Sequence, residues 1–154
     1  MCVTKNQSLR EIQELYDFGI RIFGENKVQE AKSKFLDSIL SKIELHLIGP
    51  LQTNKVKNAL QLFDIIQSLD RTKLIDEIVK VQKKISVKTH SYFIQVNIGE
   101  EDQKSGVLPI GLKDLYDYAI NSGLKIKGLM CIPPAELNPE IFFQKMLIMK
   151  NNLN

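Results

Sequence analysis

Short apolar runs alternate with longer amphipathic stretches along almost the whole chain. The runs have the length and the β-branched and aromatic content of buried strands, and they cover residues 1–4, 20–23, 45–48, 65–67, 92–97 and 125–131. The stretches between them repeat apolar residues at intervals of three and four, which is the spacing of one helix face. They predict a helix that begins after Ser8 and helices over residues 25–40, 54–62, 71–85, 112–121 and 139–152.

Residue types at the helix ends support this division of the chain. Ser8, followed three residues later by Glu11, forms a capping-box pattern, in which each side chain binds the other residue's backbone N–H. Gly19 and Gly123 follow the first and fifth helices as stop signals, and Pro139 lies in the first turn of the last helix.

Six β-then-α units in a row, with no hairpin signal between the strands, predict an α/β fold with a parallel sheet covered by helices. Right-handed crossovers leave two arrangements, a doubly wound sheet and a barrel. No Gly-x-Gly-x-x-Gly motif follows the first strand, which disfavours a dinucleotide-binding fold. A closed (β/α)₈ TIM barrel needs eight units and usually about 250 residues, whereas these 154 residues supply six units. The expected fold is therefore a partial (β/α)₈ barrel or an open sheet.

Composition narrows the classes of function. The chain is 44% hydrophobic and 25% charged, as expected of one globular domain, and its net charge of +3 is spread along the sequence. That pattern does not predict nucleic-acid binding, which uses clustered basic residues. No run approaches the ~20 apolar residues of a membrane span. Cys2 and Cys131 lack metal-ligand spacing, and Cys131 has no neighbouring base, so we expect no metal site, no cysteine nucleophile and a reduced, cytoplasmic setting.

Polar residues gather directly after the predicted strands, as do glycines. Lys5 follows the first strand, Asn26 the second and a Gly49-Pro50 turn the third, while Asn97 ends the fifth and precedes a polar loop. The carboxyl ends of parallel strands form the functional rim of such folds, so these groups are expected to converge. The amine of Lys5 is a candidate for attack on an aldehyde; the alternative is an ordinary solvated surface charge.

The other candidates also have two interpretations each. Asn26 either contacts a ligand or caps the following helix, and Glu25 is expected near that helix start, where a negative charge is favourable. His46 lies in an apolar run and is either a base or a hydrogen-bonded core histidine. Lys104 could bind an anion or lie in a charged surface loop, and Met130 could contact a cofactor or fill the core.

Taken together, these motifs resemble the pyridoxal 5′-phosphate (PLP) homeostasis proteins, which are built like the barrel domain of alanine racemase. The matching blocks keep their order and spacing over nearly the whole chain: Val3-Thr4-Lys5, Phe23-Gly24-Glu25-Asn26-Lys27-Val28-Gln29-Glu30, His46-Leu47-Ile48-Gly49-Pro50-Leu51-Gln52-Thr53-Asn54-Lys55, Gln95-Val96-Asn97-Ile98, Lys104-Ser105-Gly106 and Gly128-Leu129-Met130.

The resemblance implies a non-enzymatic protein of cellular PLP (vitamin B6) homeostasis that holds the cofactor as a Schiff base on Lys5. It also implies that Asn26, Asn97 and Met130 lie near the cofactor and that His46 and Lys104 belong to the same site. Apo-enzymes that use PLP would be its recipients, and neither nucleic acid nor membrane would be a partner. The protein is expected to be a cytoplasmic monomer.

The resemblance also suggests that residues 1–154 form a single, incomplete alanine-racemase-like barrel domain. Relative to the family pattern, the chain is expected to lack an N-terminal helix and the last two strands, which carry the phosphate-binding segments. Such a barrel would have two open parallel edges, which favour aggregation. Two alternatives follow: a decayed or split-gene fragment with little PLP binding, and a PLP-dependent racemase or lyase, which would need a second base from a second domain.

Overall fold

The computed structural model describes residues 1–35 and 37–153 as helices packed on one parallel sheet. The sheet has six strands in the order of the sequence, and every neighbouring pair is parallel. The strands are β1 (Cys2–Val3), β2 (Ile22–Glu25), β3 (Glu44–Leu47), β4 (Ile65–Leu69), β5 (Ser91–Val96) and β6 (Ile126–Cys131).

The strand order decides between the two arrangements that the sequence left open. A doubly wound sheet reverses direction at a switch point, so its strand order departs from the sequence order. Here each strand lies beside the previous one from β1 to β6, which is how the wall of a (β/α) barrel grows. The expected α/β fold is confirmed, and its strands are arranged as in a barrel and not as in a doubly wound sheet.

Seven α-helices connect and cover the strands within the described residues. They are α1 (Leu9–Asp17), α2 (Val28–Lys34), α3 (Asp37–Leu40), α4 (Val56–Leu62), α5 (Thr72–Gln82), α6 (Leu112–Asn121) and α7 (Pro139–Asn151). Short 3₁₀ turns precede α4 and α6, at Thr53–Lys55 and Pro109–Gly111. The capping box before α1 is present: the Ser8 hydroxyl accepts from the Glu11 N–H, and the Ser8 N–H donates to the Glu11 carboxylate at 2.6 Å.

The single long helix predicted over residues 25–40 is wrong. Glu25 belongs to strand β2, α2 ends at Lys34, and α3 is a separate turn. Phe35 has extended backbone angles (φ −93°, ψ 114°) and is buried, with its ring centroid 5.9 Å from that of Phe23. Packing of this aromatic side chain onto the sheet outweighs the local helical pattern. Residue 36, which the predicted helix included, lies outside the described residues.

The core lies between the sheet and the helices. Strands β3, β4 and β5 are buried along nearly their whole length, as central parallel strands are, and they pack on apolar residues of α4, α5 and α6. The terminal strands β1 and β6 are more exposed, and each has one strand neighbour among the described residues. None of the helices described is long and apolar enough to cross a membrane.

Candidate functional site

A cavity of about 500 Å³ opens at the carboxyl ends of the strands. Parallel strands in sequence order bring the loops after β1, β2, β3, β5 and β6 to this rim, which is where (β/α) barrels place their sites. Five of the six residues predicted for a cofactor site line the cavity: Lys5, Asn26, Asn97, Lys104 and Met130. The sixth, His46, does not line the cavity but contacts Gln67, which does.

Lys5 lies in a tight turn directly after strand β1. The Gln7 N–H donates to the Thr4 carbonyl at 3.0 Å and closes this turn. Asn6 takes a left-handed backbone conformation (φ 62°), which asparagine adopts more readily than most residues. The Asn6 N–H donates to the Glu30 carboxylate at 2.6 Å. These two hydrogen bonds fix the backbone on either side of Lys5, whose side chain is exposed.

A network of Thr4, Glu25, Glu30 and Lys34 holds the backbone next to this turn. Thr4 and Glu25 have no solvent exposure, and the Thr4 hydroxyl donates to Glu25 Oε1 at 2.7 Å. Lys34 Nζ, on helix α2, donates to the Thr4 carbonyl at 2.7 Å and to Glu25 Oε1 at 3.2 Å, and it also pairs with Glu30. The sequence suggested that Glu25 lies at a helix start, and this is wrong. It is a buried strand residue that joins β1, β2 and α2.

The network shifts the pKa values of its members. Burial lowers the pKa of Lys34, but its hydrogen bonds to Glu30 and Glu25 outweigh burial, and the pKa ends above its usual value. The hydrogen bond from Lys34, and then that from the Asn6 backbone, hold the pKa of Glu30 below its usual value. Both groups therefore stay charged at neutral pH.

Asn26 faces the cavity and does not cap helix α2. The N-cap position of α2 is Lys27, with no side-chain cap hydrogen bond, so the capping alternative is wrong. Beside it, a Cβ atom on Gly49 would lie 2.2 Å from the Asn26 carbonyl oxygen. No side chain fits at that distance, and glycine therefore allows the loops after β2 and β3 to meet at the cavity wall.

His46 lies behind the cavity with both ring nitrogens bonded. Its Nε2 lies 2.7 Å from Glu44 Oε1, and its Nδ1 lies 2.6 Å from Gln67 Nε2. A carboxylate accepts hydrogen bonds only, so Nε2 carries the proton and Nδ1 accepts from the Gln67 amide. Gln67 itself lines the cavity. His46 thus matches the core-histidine alternative and touches the site through Gln67.

Asn97 shapes the loop that carries Lys104. Its Nδ2 donates to the Glu101 carbonyl at 2.8 Å, and its Oδ1 accepts from the Glu101 N–H at 3.2 Å. Lys104 Nζ pairs with the Glu101 carboxylate and donates to the Pro133 carbonyl at 3.3 Å, which ties this loop to the one after β6. Met130 is partly buried and borders the same cavity.

Two strand glutamines of the cavity wall, Gln67 in β4 and Gln95 in β5, were absent from the predicted site. Both lie inside strands that are buried on both faces, so an alternating pattern does not mark the face that meets the cavity. Gln95 is 4% exposed; its Nε2 donates to the Ser105 carbonyl at 3.1 Å, and its buried Oε1 has no partner among the described residues. The signal that could have found Gln95 is an amide in an otherwise apolar strand, since buried amides are usually fully hydrogen-bonded.

The side chains that line the cavity fit a small aromatic aldehyde such as PLP. Ile48, Pro50 and Met130 supply apolar wall for a ring, Lys5 supplies an amine, and Lys104 supplies a second positive charge for an anionic group. Within the described residues no cluster of His, Cys, Asp or Glu could hold a metal ion. Cys131 also borders the cavity, and burial raises the pKa of its thiol, which disfavours the reactive thiolate.

Known proteins are similar to this chain in sequence and in fold. The family model of the alanine racemase N-terminal domain matches residues 1–148. The chain belongs to this family. Within it, the chain is 40% identical over 146 residues to the pyridoxal phosphate homeostasis protein of Aquifex aeolicus, covering 92% of this chain and 64% of that protein. It is 34% identical over 140 residues to the protein of the same name from Escherichia coli K12, covering 88% and 59%.

Solved structures of other proteins agree with the fold. PipY of Synechococcus elongatus, in a structure without PLP, has a TM-score of 0.88 and 30% identity, with 99% of this chain and 73% of PipY covered. A second PipY structure has PLP bound and a TM-score of 0.83. Alanine racemase of Clostridium difficile, at 10% identity and a TM-score of 0.74, shares the fold. The chain spans less than two thirds of the length of the curated relatives named above.

Proposed function

We propose that this protein binds PLP in the strand-end cavity and serves in cellular PLP homeostasis as a cofactor carrier. The observation that carries the proposal is the Lys5 amine, held by a fixed turn at the mouth of a cavity that Asn26, Asn97 and Met130 also line. PLP bound to the relative PipY and the homeostasis name of the curated relatives support the choice of ligand.

Each cavity residue has a role in this proposal. Lys5 would hold PLP through its side-chain amine, which would supply the nucleophile for a Schiff base with the cofactor's aldehyde. Asn26 and Asn97 would border the bound cofactor, and Met130 would supply apolar contact to it. Lys104 would supply positive charge at the cavity rim for an anionic group of the cofactor. His46 orients the Gln67 amide from behind.

The same cavity supports a carrier in preference to a racemase or lyase. Racemisation needs a base on each side of the reacting carbon, and general bases are usually His, Asp, Glu, Lys or Tyr. Among the described lining residues, the ionisable side chains are Lys5, Lys104 and Cys131, and Lys104 is already paired with Glu101. We therefore propose a non-catalytic protein that delivers PLP to apo-enzymes. We propose further that it acts as a monomer in the cytoplasm.

Borohydride reduction tests the proposal because it converts the Schiff base into a stable amine. After incubation with PLP and reduction, peptide mass mapping should locate a pyridoxyl group on Lys5. Lys5→Met should abolish the adduct, while Lys57→Met, which removes an exposed lysine of helix α4 outside the cavity, should retain it. A wild-type adduct located on other lysines, or no adduct at saturating PLP, would contradict the proposal.

A further inference from the structure

The two peptide groups that flank Lys5 are both held by side chains of helix α2. The carbonyl oxygen of Thr4, in the peptide group before Lys5, accepts a hydrogen bond from Lys34 Nζ at 2.7 Å. The N–H of Asn6, in the peptide group after Lys5, donates to Glu30 Oε1 at 2.6 Å. Lys34 and Glu30 lie one helical turn apart and form an ion pair through the same Glu30 oxygen. One ion pair therefore binds the main chain on both sides of the proposed cofactor lysine.

The orientations of these two peptide groups determine where the Lys5 side chain begins. A residue has only two soft backbone angles, and both are fixed when the peptide planes on its two sides are fixed. The direction of the Cα–Cβ bond follows from those angles. Lys5 is exposed, so packing restrains its side chain little. The backbone is thus the constraint that the fold supplies for directing the Lys5 amine into the cavity that it lines.

The turn after Lys5 has a backbone conformation that needs support. Asn6 has a φ of 62°, which is uncommon for any residue other than glycine. Such conformations persist where the surrounding structure holds them, and they concentrate at functional sites. The hydrogen bond from the Asn6 N–H to Glu30 holds this one in place.

The charges of this network are better explained by direction than by stability. Apolar side chains of similar volume often replace a buried ion pair with no loss of stability. The Lys34 side chain is 12% exposed, and its second partner, Glu25, is fully buried. The carboxylates of Glu25 and Glu30 hold the ammonium group where it donates to the Thr4 carbonyl, a bond that an apolar side chain could not make.

We propose that Lys34 and Glu30 are positioning residues that direct the Lys5 amine for covalent capture of an aldehyde-bearing cofactor. This inference rests on the proposed function and divides it into two parts. Other residues form the cavity wall and bind the cofactor without a covalent bond, whereas the Lys34–Glu30 pair acts on the covalent step alone, through the backbone of Lys5.

Two ligands separate the direction of the amine from the binding of the ring. PLP carries the aldehyde, whereas pyridoxine 5′-phosphate carries an alcohol in its place and cannot form a Schiff base. In Lys34→Met and in Glu30→Met, the rate of Schiff-base formation at saturating PLP should fall about tenfold, because a small misplacement of a reacting group slows its reaction strongly. The Kd for pyridoxine 5′-phosphate should stay that of the wild type. Stopped-flow absorbance measures the rate, and calorimetry measures the Kd.

The protein without ligand provides a second readout. The Asn6 N–H bound to Glu30 should be protected from exchange with solvent, and NMR should show this protection lost in Glu30→Met. Because both side chains act through one network, the double methionine variant should react no more slowly than the slower single variant. Lys32→Met, which removes an exposed lysine of the same helix, is the matched control and should equal the wild type in every measurement.

A purely structural role predicts a different pattern in variants that remain folded. Wild-type rates of Schiff-base formation in both methionine variants would overturn this inference and leave the proposed function intact. An equal loss of affinity for pyridoxine 5′-phosphate would also overturn it, because the whole cavity would then have changed. If Lys34→Met does not fold, Glu30→Met decides the question, since Glu30 is partly exposed. Absence of any PLP adduct in the wild type would overturn the proposed function, and this inference with it.

Discussion

The ammonium group of Lys34 reaches from helix α2 to the backbone carbonyl of Thr4, one residue before the cavity lysine. On the way it pairs with Glu25 and Glu30, so one side chain joins two strands and a helix. Glu25 is fully buried; Lys34 and the Thr4 hydroxyl bind its Oε1, while its Oε2 has no partner among the described residues. At the scale of the residue, the position of Lys5 thus depends on charges that do not touch the cavity.

Lys34→Met should destabilise the protein by about 3 kcal/mol, because it leaves the buried Glu25 carboxylate without its ion-pair partner. The free energy of unfolding from urea denaturation measures this loss. Lys32→Met, in the same helix but exposed, is the control and should change stability little. Equal stability of the two variants would show that the network contributes nothing. The double variant Lys34→Met/Glu25→Gln should recover part of the loss, since the unpaired charge is gone.

At the scale of the element, helix α1 begins one turn after Lys5 and fixes the direction in which the chain leaves the site. Its capping box is complete, and Ser8 immediately follows the Thr4–Gln7 turn. Helix α2 shows the opposite behaviour: it starts without a side-chain cap and ends where Phe35 turns into the core. Local signals were sufficient for α1, whereas packing ended α2.

Ser8→Ala should reduce stability by about 1 kcal/mol, the usual cost of an N-cap serine. Urea denaturation again provides the measurement. Ser33→Ala is the control, because Ser33 is exposed within α2 and its hydroxyl bonds only the Glu30 carbonyl in the same helix. The hypothesis fails if the two alanine variants lose the same stability.

At the scale of the whole molecule, charged groups that hold the loops together make stability depend on pH in both directions. The hydrogen bonds of Ser8, backbone first, lower the pKa of Glu11, and the bond from Lys34 lowers that of Glu30. The pKa of Lys34 lies above its usual value for the reasons given above. Carboxylates and ammonium together define a range of pH in which the fold is most stable.

Stability should be highest between the unfolded-state pKa values of these groups, about 4.5 and 10.5. A carboxyl whose pKa is lowered in the folded state stabilises it above the unfolded value, and this contribution is lost as pH falls through the folded value. The raised pKa of Lys34 stabilises the folded state below the unfolded value. This contribution is lost as pH rises through the pKa of Lys34 in the folded state. Unfolding free energies across pH should show both limbs, with a shallower acid limb in Glu30→Gln. Identical acid limbs would refute the role of Glu30.

The sequence by itself determined the six β-then-α units, the capping box of α1 and the strand ends that carry Lys5, Asn26 and Asn97. These features depend on neighbours within a few residues, and hydrophobic spacing and turn residues report them directly. The boundaries near residue 25 could not be predicted, because burial of Glu25 requires Thr4 and Lys34, which are distant in the chain.

Only the tertiary structure decided the strand order and the composition of the cavity wall. An apolar strand looks the same whichever strand it pairs with, so the barrel arrangement became visible in the pairing of β1 through β6. The Gln95 amide is likewise held in the cavity wall by the Ser105 carbonyl, ten residues further along the chain. Local pattern specifies which elements form, and contacts between distant residues specify which side chains line the cavity.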